Sequence, residues 1–191
     1  MGAAFVAGFL VGLSAAVLAG GAAMIVMETS VREGFGVAMA AGAGIATGDA
    51  MWASVAVAAG AGVKRLLAPW SEMLQWLAVG VLLVIGVVAV GEVLRPAAAR
   101  PAAGHEGSPV CAYGEFLAFT LIDPVTIIFF LSLIVGAGLA YPAAGAAVFV
   151  AGAFVASLSW QLALVTAGRR LRREFSGHAR RRIMLLDCAL L

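Results

Sequence analysis

Two aspartates, Asp49 and Asp123, lie inside long apolar stretches that are otherwise almost free of charge. Asp49 sits in residues 36–62 (GVAMAAGAGIATGDAMWASVAVAAGAG) and Asp123 in residues 113–140 (YGEFLAFTLIDPVTIIFFLSLIVGAGLA). An ionised Asp at the centre of a membrane helix costs roughly 2.5–3.5 kcal/mol on insertion scales. Groups retained at that cost handle ions, protons or polar substrates. A carboxylate held away from water can give up its charge by taking a proton, and two that face one another can share a proton or hold a cation.

The neighbours of each aspartate sharpen the reading. Gly42, Gly44 and Gly48 precede Asp49, and Gly44 with Gly48 forms a GxxxG face on which a second helix can approach closely. Asp49 follows that face directly, so it is expected inside the bundle. The plainer alternative is a packing helix whose Asp bonds a nearby backbone group. Asp123 is followed by Pro124, which has no N–H for the carbonyl of Thr120. A freed carbonyl beside a carboxylate makes a polar pocket of the broken-helix kind, and Thr126 can point into it. Asp123 can equally cap the second half-helix, and the two roles are compatible. Gly20 and Gly21, flanked by Ala19 and Ala22, form a small-residue patch in the first apolar stretch, as suited to packing as to lining a substrate path. The candidate substrate- and proton-binding residues are therefore Gly20, Gly44, Gly48, Asp49, Asp123, Pro124 and Thr126.

No catalytic residue, metal site or cofactor is expected. His105 and His178 fall in polar segments, and Cys111 and Cys188 have no metal-ligand or disulfide spacing. Met24, Met27, Met39 and Met51 read as packing.

These residues need elements to hold them. The chain has 191 residues, 63% hydrophobic and 12% charged, with mean hydropathy +1.07. Soluble domains carry about 25% charged residues, so the composition implies an all-α integral membrane protein with the lipid bilayer as its main partner. A net charge of +2 gives no reason to expect a nucleic-acid partner. Five stretches reach the roughly 20 apolar residues that span a bilayer: 3–27, 36–62, 73–93, 113–140 and 143–168. Residues 28–34 (ETSVREG) read as a short charged turn, 63–72 as a second break, and 95–112 as a Pro- and Ala-rich linker. RRLRREFSGHARRR, after Gly168, reads as a basic loop. Alternating the loops puts Arg32, Arg95, Arg100 and the Arg169–Arg182 cluster on one side, with only Lys64 and Arg65 on the other. Basic residues mark the cytoplasmic side, so the N-terminus is expected outside a bacterial inner membrane and the Arg-rich segments inside.

Sliding the sequence against itself by about 108 residues aligns Gly44 with Gly152, Trp52 with Trp160, Gly60 with Gly168, and Lys64-Arg65 with Arg172-Arg173. Asp49 falls on Ser157. The expected architecture is a single transmembrane domain, a six-helix bundle built as an inverted repeat of three helices. Residues 1–94 form the first repeat, 95–112 the cytoplasmic linker and 113–191 the second, incomplete repeat. The counterpart of residues 73–93 would run from Arg181 onward, so the sixth helix is expected short or truncated. Secondary transporters built this way bind their substrate near mid-bilayer at the repeat interface. Small-residue faces leave room for a homodimer.

The stretches GFLVGL, SVREGFGVAMAAGAGIATGD and EFLAFTLIDPVTIIFF resemble the LysE family of amino-acid exporters, also called the homoserine/threonine exporter family. The resemblance extends over nearly the whole chain. It implies a six-helix fold that exports amino acids or related small metabolites on the proton gradient, and no enzymatic activity. Three departures stand out. The family's Pro-Gly-Pro in the first helix corresponds to Ala19-Gly20-Gly21, its Asn before the fourth-helix proline is Asp123, and the last helix is short. The added carboxylate favours a cationic substrate. A metal or other cation exporter of the wider superfamily is the near rival, though two carboxylates are few for a metal cage. A non-transporting membrane subunit and an intramembrane aspartyl protease are the rivals of other classes; the protease reading is weakened by Ala46 and Ile122, which stand where that motif needs Gly and Tyr.

Overall fold

Alanine, leucine and methionine favour helix, and the dense Ala–Gly faces let helices meet backbone to backbone. The computed structural model describes residues 1–18, 20–66, 108–137 and 141–189, with scattered positions between 69 and 87; side chains are described except at 20, 21, 23, 61–66, 136, 137 and 171–189. Every described element of regular structure is helical: α1 (Gly2–Leu18), α2 (Gly20–Arg32), α3 (Phe35–Leu66), α4 (Pro109–Ile122), α5 (Pro124–Ala137) and α6 (Ala143–Ala189). Of the third expected span only positions 73, 76–81, 83, 84 and 87 are described, all of them helical, and most of the linker lies outside the described residues.

Several boundaries differ from the sequence reading. The charged turn is shorter than residues 28–34, because α2 continues to Arg32 and an i,i+4 ion pair (Arg32 Nε to Glu28 Oε1, 2.9 Å) supports its last turn. Gly34 then reverses the chain with φ 103°, which glycine adopts freely. Helix α4 begins at Pro109, inside the segment read as linker, with proline in its first turn where a missing N–H costs nothing. The segment Arg169–Arg182, expected as a loop, is helical within α6. Arginine, leucine and glutamate are good helix formers, so charge alone did not mark a break.

Helix α6 over Ala143–Arg170 is long and apolar enough to cross a membrane. Helices α4 and α5 together are also long and apolar enough, as one span bent by 54°.

Glycines set how the helices meet. Methyl groups built at Gly8 and Gly12 of α1 would strike the backbone of Phe149 and Ala153 in α6, so these two helices run parallel in near-backbone contact. A methyl at Gly44 of α3 would strike the Tyr113 carbonyl and stand 3.0 Å from the Leu117 nitrogen of α4. At Gly152 of α6 it would strike the Phe5 carbonyl and stand 3.0 Å from the Phe9 nitrogen of α1. The two contacts involve the same three positions displaced by 108 residues.

Buried side chains gather into two apolar clusters. One joins Ala15, Ala53, Val57, Phe129, Phe130, Ile134, Phe149 and Ala153; the other joins Ala22, Val26, Val37, Ala41, Ile45, Ala112, Phe116 and Val165. The same displacement relates Ala22 to Phe130, Val26 to Ile134, Ala41 to Phe149, Ile45 to Ala153 and Val57 to Val165. Between the clusters α3 and α6 cross in antiparallel sense, since Gly42 meets Gln161 while Val57 shares a groove with Ala146.

Candidate functional site

Ile45 and Ala53, one turn to either side of Asp49, belong to opposite apolar clusters, so the carboxylate lies at the level where one core gives way to the other. Asp49 is only 3% exposed. Its partner is Ser157 on α6, fully buried, whose Oγ donates to Asp49 Oδ2 at 2.6 Å. Such a short bond to a carboxylate is of the strong, charge-assisted kind. The residue that the sequence offset aligned with Asp49 is thus the residue it touches.

Gly44 and Gly48 form the face on which α4 lies. Gly48 packs on the Thr120 side chain, where an added Cβ would stand 2.7 Å from the Thr120 methyl carbon. Nearby, the Tyr113 hydroxyl donates to Thr47 Oγ1 at 3.1 Å. This contact brings Thr120, at the end of α4, beside the residue preceding Asp49.

Asp123 occupies the bend between α4 and α5. Its ψ of 117° is extended, as the residue before a proline prefers. The Thr126 amide and the Thr126 hydroxyl both donate to Asp123 Oδ2, at 3.0 and 2.7 Å. Pro124 opens α5, so Asp123 is the N-cap of that helix. Asp123 is half-buried. Among the described residues no hydrogen bond joins the two carboxylates; Ser157 serves one and Thr126 the other. Gly20 opens α2; its surroundings and Ala19 lie outside the described residues.

Four polar atoms near the α3–α6 crossing are buried without a hydrogen-bond partner among the described residues: Trp52 Nε1, Trp160 Nε1, and both amide atoms of Gln161. Gln161 is one turn beyond Ser157 on α6 and 2% exposed, with its Cβ against Gly42. Sequence reasoning did not select Ser157, Gln161 or the indoles as site residues. The signals were present: the offset placed Ser157 opposite Asp49 and paired the two tryptophans, and Gln161 is the one amide side chain in residues 143–168. Among the described residues, no three His, Cys, Asp or Glu side chains gather in a way that could hold a metal ion.

The sequence profile of the LysE type translocator family matches residues 13–191. The chain belongs to that family. The family is one of translocators and not of enzymes. No curated protein and no solved structure matches the chain.

Proposed function

We propose that this translocator is a secondary active exporter of amino acids or related small metabolites across the bacterial inner membrane, coupled to protons through Asp49. The carrying observation is the Asp49–Ser157 bond, a carboxylate and a hydroxyl joined at 2.6 Å in the buried crossing of α3 and α6. Membrane-buried carboxylates are costly and belong to ion or substrate paths. The paired contacts displaced by 108 residues, together with the parallel packing of α1 on α6 and α3 on α4, support an inverted repeat with its axis through that crossing. A site on the axis is where both repeats can reach it from either side.

In this reading Asp49 takes up a proton from one side and releases it to the other as substrate passes, with Ser157 donating to the ionised form. Asp123 holds the α4–α5 bend through Thr126 and adds negative charge beside the path. The N-terminus faces outward and the Arg-rich segment inward. The test is uptake and efflux in proteoliposomes with an imposed pH gradient, screening amino acids and divalent cations. Gradient-driven movement of an amino acid that Asp49→Asn abolishes supports the reading. Movement equally fast in Asp49→Asn, or confined to divalent cations, overturns it.

A further inference from the structure

We propose that Gln161 is a substrate-recognition residue whose amide binds the carboxylate of a zwitterionic substrate while Asp49 receives its ammonium group. The assignment rests on the export reading above and adds a group that reads the substrate's charge pattern.

Packing does not account for this side chain. Gln161 is 2% exposed, and neither Nε2 nor Oε1 has a partner among the described residues. A polar group buried without a partner costs about 1–3 kcal/mol. The position related to it by the 108-residue offset is Ala53, fully buried in the apolar core on the other side of the crossing. Alanine closes the interface there, so the fold does not require an amide in this register. The facing residue, Gly42, has no side chain, and a Cβ built on it would stand 2.8 Å from the Gln161 Cβ. The stem of Gln161 thus leaves α6 directly against α3, and its buried amide stays within the contact of the two helices.

Geometry fits the occupant. Four residues of helix separate Ser157 from Gln161 by about 6 Å along the axis. An α-amino acid laid along α6 can bring its ammonium group to Asp49 at the Ser157 level and its carboxylate to Gln161 one turn away. The Nε2 hydrogens donate to that carboxylate, and Oε1 remains as an acceptor for the ammonium. Separation of α3 from α6 during the transport cycle would open the interface for it. The neighbouring Trp160 Nε1 is also buried without a partner among the described residues.

The experiment uses the full chain in proteoliposomes. It compares a transported amino acid with its carboxamide, which has the same size and ammonium group but no carboxylate. Wild type should favour the free amino acid. Gln161→Met, similar in volume and apolar, should reduce that preference about 10- to 150-fold, the range for one hydrogen bond to a charged group. Its melting temperature in detergent should stay level or rise, whereas a structural amide would lower it. Gln161→Asn, with the amide on a shorter arm, should fall between the two, its KM rising more than its maximal rate falls.

Undiminished preference in Gln161→Met overturns the assignment and leaves export intact. Wild-type vesicles that move no amino acid overturn the export reading and this inference with it. Should Gln161→Met not accumulate in membranes, Gln161→Asn decides: weakened preference supports recognition by the amide, and wild-type preference overturns it.

Discussion

Exchanging the two residues at the α3–α6 crossing separates a site on a pseudo-two-fold axis from an incidental contact. The perturbation is Asp49→Ser combined with Ser157→Asp, set beside each single change. Asp49→Ser removes the acceptor of the 2.6 Å bond and leaves two hydroxyls. A hydrogen bond to a charged group contributes about 1.5–3 kcal/mol, which corresponds to about a 10- to 150-fold loss if it acts in the rate-limiting step. Ser157→Asp instead sets two carboxylates at about 3 Å. At an effective dielectric near 20 their repulsion is about 5 kcal/mol, so one must stay protonated or the helices must part. The double variant restores one carboxylate and one hydroxyl with their helices exchanged. If the crossing is a symmetry axis, the double variant should transport at least tenfold faster than either single one and melt near the wild-type temperature. Full recovery is not expected, since Gln161 flanks position 157 whereas Ala53 occupies the related place beside position 49. Efflux from proteoliposomes and thermal unfolding of the four proteins complete a double-mutant cycle. A double variant no better than Ser157→Asp alone would refute the reasoning.

Two further perturbations address how the site is held. Gly44→Ala and Gly152→Ala each drive a methyl into the backbone of the facing helix, so each should destabilise by roughly 1–3 kcal/mol, and by similar amounts if the two contacts are related; Gly36→Ala and Gly114→Ala, with nothing within 4 Å of the added carbon, serve as near-neutral controls in the same melting assay. Asp123→Ala should cost about 0.5–2 kcal/mol through loss of the α5 cap, whereas Asp123→Asn keeps the capping oxygen and should melt close to wild type. If the alanine and asparagine variants melt alike, the bond from Thr126 is not what fixes the bend.

Much of the fold was legible because apolar run length and small-residue spacing report helix and close approach directly. The GxxxG at Gly44 and Gly48 marked the face that α4 covers, and the proline at 124 marked the bend. Position 123 was legible as a cap because Asp-Pro-x-Thr carries its partner within the same turn. The partner of Asp49 was harder to read, since Ser157 lies 108 residues away and only the repeat offset pointed to it. Gln161 escaped notice because a lone amide in an apolar helix does not show which way it faces. The helical course of Arg169–Arg182 was missed for another reason: charge density suggested a loop, while the same residues have the backbone preferences of a helix.

The embrace of α1 by α6 has a consequence for how the chain is made. Gly8 and Phe149 are about 140 residues apart, yet their helices meet backbone to backbone. At the roughly 5–20 residues per second of synthesis, about 7–28 s pass between the making of Gly8 and the making of Phe149. During that interval the glycine-lined flank of the first helix has only lipid or the insertion machinery against it. The tightest contacts of the first helix therefore form only after the fifth span has been made, and anything that delays or removes that span leaves them unmade.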